Sequence, residues 1–526
     1  MDEEPAFREI ISRILSLPPG DSGIVAAKID ICRKYRLNAV PKNSAILAAA
    51  TPAERETLRR ILLVKPTRTL SGVAPVAVMT SPYPCPHGKC LPCPGGPSHP
   101  FGSPQSYTGE EPAAKRAREH HYDPFSQVHD RLGQFEILGH HVEKVELIVM
   151  GGTMTARPVE YQHEFVARCI EAMDLYPVNT PSSQVPTVAD VEEANETANV
   201  RCIAITFETR PDWCKTEHIN RMLELGVTKV ELGVQHVNDE ILAFNRRGCT
   251  VADTAEANRL LRDAGIKVGF HMMPNLPHST IALDKEMFET IFADPRFKPD
   301  FLKIYPTLVT PGSEIEELWE RKKYAPYDED QLIDLIAYAK SLIPEYTRLS
   351  RVQRDIPAKL IVAGSRHSNF RQLAQERLAS QGRHCRCIRC REIGRRPSGV
   401  EPDIRVIKYE CCGGTEHFIS AVSGDSLIGF ARLRFPSMEF RPELHEAALV
   451  RELHVYGSLV PVGSEADESE EWQHRSFGRI LLSRAEEIAR DAGFRRVAIM
   501  SGIGVRPYYR RQGYVRSGPY MVKEMS

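Results

Sequence analysis

The stretch CPHGKCLPCPGG, residues 85–96, places Cys85, Cys90 and Cys93 in a loop nearly empty of other apolar side chains. Three thiols so close together cannot all pair with one another, and the thirteen cysteines of the chain are odd in number and clustered. The acidic start MDEEPAFREI does not resemble a secretory signal, and no uninterrupted apolar run is long enough to span a bilayer. A cytoplasmic location with reduced thiols is therefore expected, where clustered cysteines read as metal ligands. A cubane iron–sulfur cluster takes four ligands, so three protein thiolates leave one iron open, the arrangement that binds and reductively cleaves S-adenosylmethionine. The alternative is a zinc knuckle that borrows His87 or His99. It stays open because the usual radical spacing has three residues, not four, between the first two thiols.

The flanking sequence says where this loop sits. It runs from Pro82 to Pro112, too long for an idle connection, and follows the run VAPVAVMTS. Further short apolar runs are KVELIVMGG, RCIAITFET, KVELGVQ, KVGFHMM and FLKIYPT, with helical stretches such as TEHINRMLELG and ADTAEANRLLRDAG between them. Continuous apolar strands separated by helices predict a buried parallel sheet of six or seven units, an α/β fold closing into a partial or complete (β/α) barrel. In such folds the site lies at the carboxyl ends of the strands, and the loop of thiols follows the first strand. Gly151 and Gly152, in MGGT, end another strand on that face, where they fit a clamp for a methionine amine or a tight strand–helix turn.

At 526 residues the chain is too long for one core. We expect a helical, basic region over 1–72, the barrel over 73–380, a cysteine-rich linker over 381–397 and a mixed α/β domain over 398–526. In the first region TPAERETLRRILL offers Thr51 as an N-cap with Glu54 three residues on. The linker contains Cys385, Cys387 and Cys390 within an arginine-rich loop; three thiols there predict structural zinc, with Cys411 or Cys412 available as a fourth ligand or simply buried. The net charge of −1 conceals nine Lys/Arg against two Glu between Arg33 and Arg68, and twelve against three Asp/Glu between Arg351 and Arg396. Two basic patches flanking a metal–thiol core favour a polynucleotide substrate over a pair of solvated helix faces.

In the last domain, strands lie side by side (DIRVIKYEC, HFISAVSG, SLIGFARLRF, AALVRELHVYG) before one amphipathic helix, FGRILLSRAEEIARDAG. The stretch QHRSFGRILL, from Gln473, resembles the pyrophosphate loop of the GNAT acetyltransferases, with Ser476 where the first glycine usually sits. RELHVYG is then the strand whose free backbone groups pair with pantetheine. Tyr508 and Tyr509, in VRPYYRRQGY, either approach the sulfur of the acyl donor or pack a carboxyl-terminal helix.

These pieces occur together in one family. VKPTRTLSGVAPVAVMTSP, CPHGKC, CPGGP, QSYTGEEP, MGGT, FHMMPNLP, CRCIRCRE, RELHVYG and YYRRQGY resemble the catalytic subunit of Elongator, of the microbial single-chain type, along essentially the whole length. The resemblance implies a radical S-adenosylmethionine barrel joined to a GNAT domain, modifying the wobble uridine of tRNA in the anticodon loop. It implies that Cys85, Cys90 and Cys93 hold a [4Fe-4S] cluster and that Lys144 handles acetyl-CoA within the barrel. It further implies that Glu452, Leu453, His454, Val455, Phe477, Gly478, Arg479 and Tyr509 contact acetyl-CoA. The product would be 5-carboxymethyluridine, formed by radical attack of the acetyl methyl carbon on C5 and thioester hydrolysis. The alternatives are a protein lysine acetyltransferase with a structural metal cluster and a tRNA-binding scaffold without chemistry. The sequence leaves a homodimer open.

Overall fold

The computed structural model describes residues 4–17, 23–37, 40–41, 43–62, 72–99, 101–140, 142–367, 369–394, 400–456 and 477–525. Four helices open it, Glu4–Leu15, Gly23–Tyr35, Asn43–Ala49 and Pro52–Leu62. They share a small core of Ile10, Ile14, Ile31, Ile46, Leu47 and Leu58, packed against Ile137 and Leu138 of the barrel. The expected capping box is present: the Thr51 amide donates to Glu54 Oε2 at 2.8 Å and the Glu54 amide to Thr51 Oγ1 at 3.4 Å.

The first sheet holds β1 (Ala74–Met79), β2 (Lys144–Met150), β3 (Arg201–Thr209), β4 (Lys229–Gln235), β5 (Lys267–Met272), β6 (Phe301–Ile304) and β7 (Arg348–Val352). They lie in that order, every neighbouring pair parallel, with β1 and β7 at open edges. The result is a half barrel. One expectation fails here, that the strands are apolar on both faces. In β4, Val230, Leu232 and Val234 pack into the core shared with the helices, whereas Lys229, Glu231, Gly233 and Gln235 line a lumen. The helices cover only the outer face, so the inner face is free to carry polar side chains.

The second sheet contains β8 (Pro402–Cys411), β9 (Gly414–Ser423), β10 (Ser426–Phe435), β11 (Ala447–Val455), β12 (Arg496–Ile499), β13 (Val515–Ser517) and β14 (Tyr520–Glu524). Its order is β13-β14-β12-β11-β10-β9-β8, antiparallel except for β11 beside β12. Leu481, Leu482, Ala485 and Ala489 of the helix Phe477–Asp491 fill its core. β11 pairs with β12 only from Ala447 to Val450. From Arg451 to Val455 it continues beside β10 alone, so among the described residues its other edge carries unpaired backbone groups.

This domain closes the amino-terminal ends of the barrel strands. Tyr520 donates to the Ala264 carbonyl at 3.0 Å, and Arg451 Nη1 donates to the Ile266 carbonyl at 3.2 Å, both just before β5. A Cβ on Gly502 would lie 1.8 Å from the Ile203 carbonyl oxygen of β3, so the contact admits only glycine. Between the domains lies a fully buried ionic network. Arg451 binds Asp300 through both Nη atoms at 2.8 and 2.9 Å and Glu416 at 2.9 Å. Arg262 reaches Glu416 at 3.0 Å, and Arg434 reaches Asp263 at 2.6 Å and Glu416 at 3.1 Å. Such a network fixes register more than it adds net stability, because each charge first loses its water.

Candidate functional site

The loop of thiols lies at the carboxyl-terminal end of the half barrel, touching the segments that follow β2, β3 and β4. Cys85 Sγ is 3.5 Å from Thr153 Oγ1, and Arg247 Nη1 is 3.8 Å from Cys90 Sγ. Gln105 Nε2 donates to Cys93 Sγ at 2.9 Å. His87 sits between Arg210 and Cys90: Arg210 Nη1 donates to Nδ1 at 2.7 Å, which leaves the proton on Nε2, 3.0 Å from Cys90 Sγ. Burial, followed by the guanidiniums of Arg210 and Arg247, pushes His87 down to about 3, so the ring is neutral. Its Nε2 thus donates to sulfur and is not free to ligate zinc. His99 Nε2 is likewise engaged, 3.2 Å from the Pro311 carbonyl. The zinc-knuckle alternative therefore has no fourth ligand in either histidine.

The donor set fits a sulfur-bound cluster. Among the described residues, the three-ligand groups whose donor atoms all lie within 4.8 Å of one another include Cys385, Cys387 and Cys390 but not the opening trio. A single zinc ion needs that convergence, its thiolates lying about 2.3 Å from the metal; a cage of several irons spaces them more widely. Beside the trio, Gln235 Oε1, Gln353 Oε1 and Arg247 Nε are buried without a hydrogen-bond partner. Gln235 and Gln353, at the ends of β4 and β7, have φ of 70° and 117°. Strained backbone and unmet polar atoms at the mouth of a cavity are what a polar ligand such as S-adenosylmethionine would satisfy. Gly152 lines this end, but Gly151 does not: its missing Cβ makes room for Thr80 Oγ1, which a Cβ would meet at 2.3 Å. Of the two expected clamp glycines, one is spent on packing β1 against β2.

Below the thiols one chamber of about 2100 Å³ runs down the lumen to the second domain. Charged side chains on alternate positions of neighbouring strands cross its wall. The Tyr107 hydroxyl donates to Glu208 at 2.6 Å; Lys303 lies 3.6 Å from Glu208 and also binds Glu231. Lys229 lies 3.1 Å from Glu231 and 3.4 Å from Glu146, and His271 Nε2 is 3.0 Å from Glu231. Against the cost of burial, Lys303 and Lys229 hold the Glu231 carboxyl well below the usual range. Glu208, Glu231 and His271 converge as a metal site would. The Lys303 ammonium already supplies the positive charge there. None of these residues was expected from the sequence, although the alternation K-V-E-L-G-V-Q in β4 carries the signal.

At the far end the chamber is lined by Glu452, Leu453, His454, Val455, Gly478, Arg479, Tyr508 and Tyr509, so most of the expected acetyl-CoA residues share one wall. The unpaired edge of β11 lies along it. Tyr509 is 5 % exposed and stacks edge-on against Tyr508 at 5.2 Å. Burial, then Tyr508 and Glu452, raises its hydroxyl above the usual range, so it is a proton donor and not an anion. Lys144 opens β2 and faces the same chamber; burial, then Arg201, lowers its ammonium. Phe477 turns the other way, into the domain core, leaving only its backbone at the helix start. Gln473 and Ser476 lie outside the described residues.

The second trio is set away from this chamber. Cys385 and Cys387 are buried and Cys390 half-buried, beside the barrel's last strand, where the Ile388 amide donates to the Thr347 carbonyl at 3.1 Å. For Cys411 and Cys412 the sequence left open a fourth ligand or a buried thiol, and the structure buries both. Cys411 Sγ donates to the Phe297 carbonyl at 3.5 Å and Cys412 Sγ to the Arg296 carbonyl at 3.3 Å, which holds both at the domain interface.

Comparison with known proteins places the chain. Residues 4–70 match the ELP3 N-terminal domain, 85–291 the radical SAM superfamily, 299–380 the radical SAM C-terminal domain and 389–514 the GNAT acetyltransferase family. The tRNA uridine(34) acetyltransferase of Methanocaldococcus jannaschii is 49% identical over 92% of this chain and 90% of its own length. Human Elongator complex protein 3 is 43% identical over 96% and 93%. The solved structure of N-terminally truncated Elp3 from Methanocaldococcus infernus superposes with a TM-score of 0.75 at 43% identity, covering 87% of this chain and 100% of that one. With identity sustained across barrel, linker and acetyltransferase domain alike, the chain belongs to the Elongator complex protein 3 family.

Proposed function

We propose that the chain is a tRNA-modifying acyltransferase that installs a carboxymethyl group at C5 of the wobble uridine, drawing on acetyl-CoA and S-adenosylmethionine. The observation that carries this reading is the single chamber with thiols at one end and the free edge of β11 at the other. Cys85, Cys90 and Cys93 would hold a [4Fe-4S] cluster, which together with S-adenosylmethionine would supply radical chemistry toward the acetyl methyl group. The residues of the chain do the positioning. Gln105 donates to Cys93 Sγ and the His87 Nε2–H to Cys90 Sγ, while Gln235, Gln353 and Arg247 offer polar atoms to the methionine-derived ligand. The edge of β11 takes the pantetheine amides, the start of the helix Phe477–Asp491 and Arg479 take the phosphates, and Tyr509 protonates the departing thiolate. Lys144 binds the acyl donor from the barrel side.

The uridine must leave the anticodon stack to enter the carboxyl end, at a cost of about a few kcal/mol. Arg351, Arg354, Arg371 and Arg389, from the second basic patch, line the chamber and suit RNA phosphates there. The basic amino-terminal region, 1–72, binds tRNA, the barrel spans 73–380, and the linker 381–397 holds zinc through Cys385, Cys387 and Cys390 before the GNAT domain, 398–526. The enzyme works in the cytoplasm, as a single chain or a homodimer; no helix among the described residues is long and apolar enough to cross a membrane. Protein lysine acetylation is not favoured, because the acyl site opens into the barrel.

Anaerobically reconstituted, reduced enzyme given S-adenosylmethionine, acetyl-CoA and tRNA tests the proposal. 5′-Deoxyadenosine and 5-carboxymethyluridine at position 34 are expected, and Cys90→Ser removes both. Lysine acetylation without modified RNA would replace this reading with the other.

A further inference from the structure

Among the described residues, one lysine on the central strands of the chamber has no carboxylate to hold it. Lys267 opens β5 and faces the lumen at the end closed by the acetyltransferase domain. The lysines on the two adjacent strands are each held by two carboxylates, Lys229 by Glu146 and Glu231, Lys303 by Glu208 and Glu231. The side chain of Lys267, whose Cα is the register partner of Lys229, has neither a hydrogen bond nor an ion pair among the described residues. The carboxylates that act on it are Glu452 and Glu146, and both are committed elsewhere. Glu452 Oε2 accepts from Arg432 Nε at 2.8 Å, and Glu146 accepts from Thr206 at 3.2 Å and from Lys229 at 3.4 Å. Burial, only partly offset by Glu452, pushes the Lys267 ammonium below its ordinary range. A half-buried ammonium with unused donors, enclosed in a chamber, is costly unless something arriving in the cavity uses them.

Its position selects what arrives. Glu452 stands just past the point where β11 leaves β12, the deepest part of the cleft that takes pantetheine. The phosphates of a bound acyl-CoA lie at the other end of that arm, by Arg479 and the helix start. Only the acyl terminus reaches the base of the cleft. We infer that Lys267 binds the carbonyl oxygen of the acyl thioester where it passes from β11 into the barrel, and so distinguishes the loaded donor from free CoA. This deepens the acyl-CoA reading above and rests on it. Lys144, the other lumen lysine without such a partner, is on β2 and already belongs to the expected acetyl-CoA set.

The test is calorimetric titration of the full chain with acetyl-CoA and, separately, with CoA. In Lys267→Met and Lys267→Gln the Kd for acetyl-CoA rises about tenfold, the scale of one charge-assisted hydrogen bond, while that for CoA stays within about twofold. Lys267→Arg, which keeps the charge, recovers most of the difference. Equal weakening of both ligands would mean that Lys267 serves the phosphates or the fold, and unchanged binding of both would mean that it serves neither; each result overturns the inference. Wild-type protein that binds neither ligand would instead overturn the acyl-CoA reading itself. Thermal melts of each variant identify a loss caused by unfolding, and the Gln and Arg forms keep the comparison available where Met does not fold.

Discussion

The two cysteine trios put the same side chain to opposite uses. Cys85, Cys90 and Cys93 hang over a cavity, spread apart, with Gln105 of their own loop and polar groups of two other segments aimed at their sulfurs. Cys385, Cys387 and Cys390 converge within 4.8 Å of one another and pack against the barrel core. The charged clusters divide the same way. In the seam between barrel and acetyltransferase domain, Arg262, Arg434 and Arg451 are matched by Asp263, Asp300 and Glu416 at hydrogen-bonding distance; in the chamber, the Gln235 and Gln353 oxygens are left unmet among the described residues. Saturated contacts hold the molecule together, and unsaturated ones wait for substrate.

That division can be broken by exchanging the readouts. Cys90→Ser has the largest effect on chemistry, reducing 5′-deoxyadenosine release to background while the melting temperature moves by about 2 °C or less. Cys387→Ser should do the reverse: zinc measured by elemental analysis is lost and stability falls by on the order of several kcal/mol, with S-adenosylmethionine cleavage kept by the folded fraction. If Cys387→Ser instead abolished cleavage at unchanged stability, the two trios would not differ as described. Arg451→Met removes the guanidinium that bridges Asp300 and Glu416, leaves the seam one positive charge short and costs about 3–5 kcal/mol in denaturant titration, again without a change in acetyl-CoA affinity beyond about twofold.

A smaller effect sharpens the comparison through pH. Burial raises the Asp300 carboxyl, but Arg262 and Arg451 outweigh it and hold it well below its ordinary 3.8; Arg451 and Arg262 likewise hold Glu416 below 4.5. Carboxylates with depressed folded values stabilise the protein fully above their unfolded values, and this contribution is lost as pH falls through the folded ones. Below about pH 4 the melting temperature of the wild type should therefore fall toward that of Arg451→Met, closing a gap present at neutral pH. A gap that persists undiminished at low pH would assign the seam's stability to packing alone.

The outline was legible in the sequence where a pattern is local. The runs that became β1 to β6 and β8 to β11, the Thr51–Glu54 cap and both thiol trios could be read directly, because each depends on neighbours within a few residues. β7 escaped, since RLSRV is five residues long and carries two arginines; β12 to β14 were too short to stand out. The polar lumen escaped for a different reason. Lys229, Glu231, His271 and Lys303 are paired across strands far apart in sequence, so each alone looks like a charge at a strand end. The seam is the extreme case: Arg262 and Asp300 find Glu416 and Arg451 only once two independently patterned domains meet.

The fit of Gly502 against β3 has a consequence for how freely this molecule can vary. Where a strand's carbonyl oxygen occupies the space a methyl group would need, no rotamer or neighbouring side chain can give way, and even alanine must push the two domains apart. A library randomised at that codon and screened for both half-reactions should return a single amino acid, whereas the same library at Gly394, with open space around it, should return many.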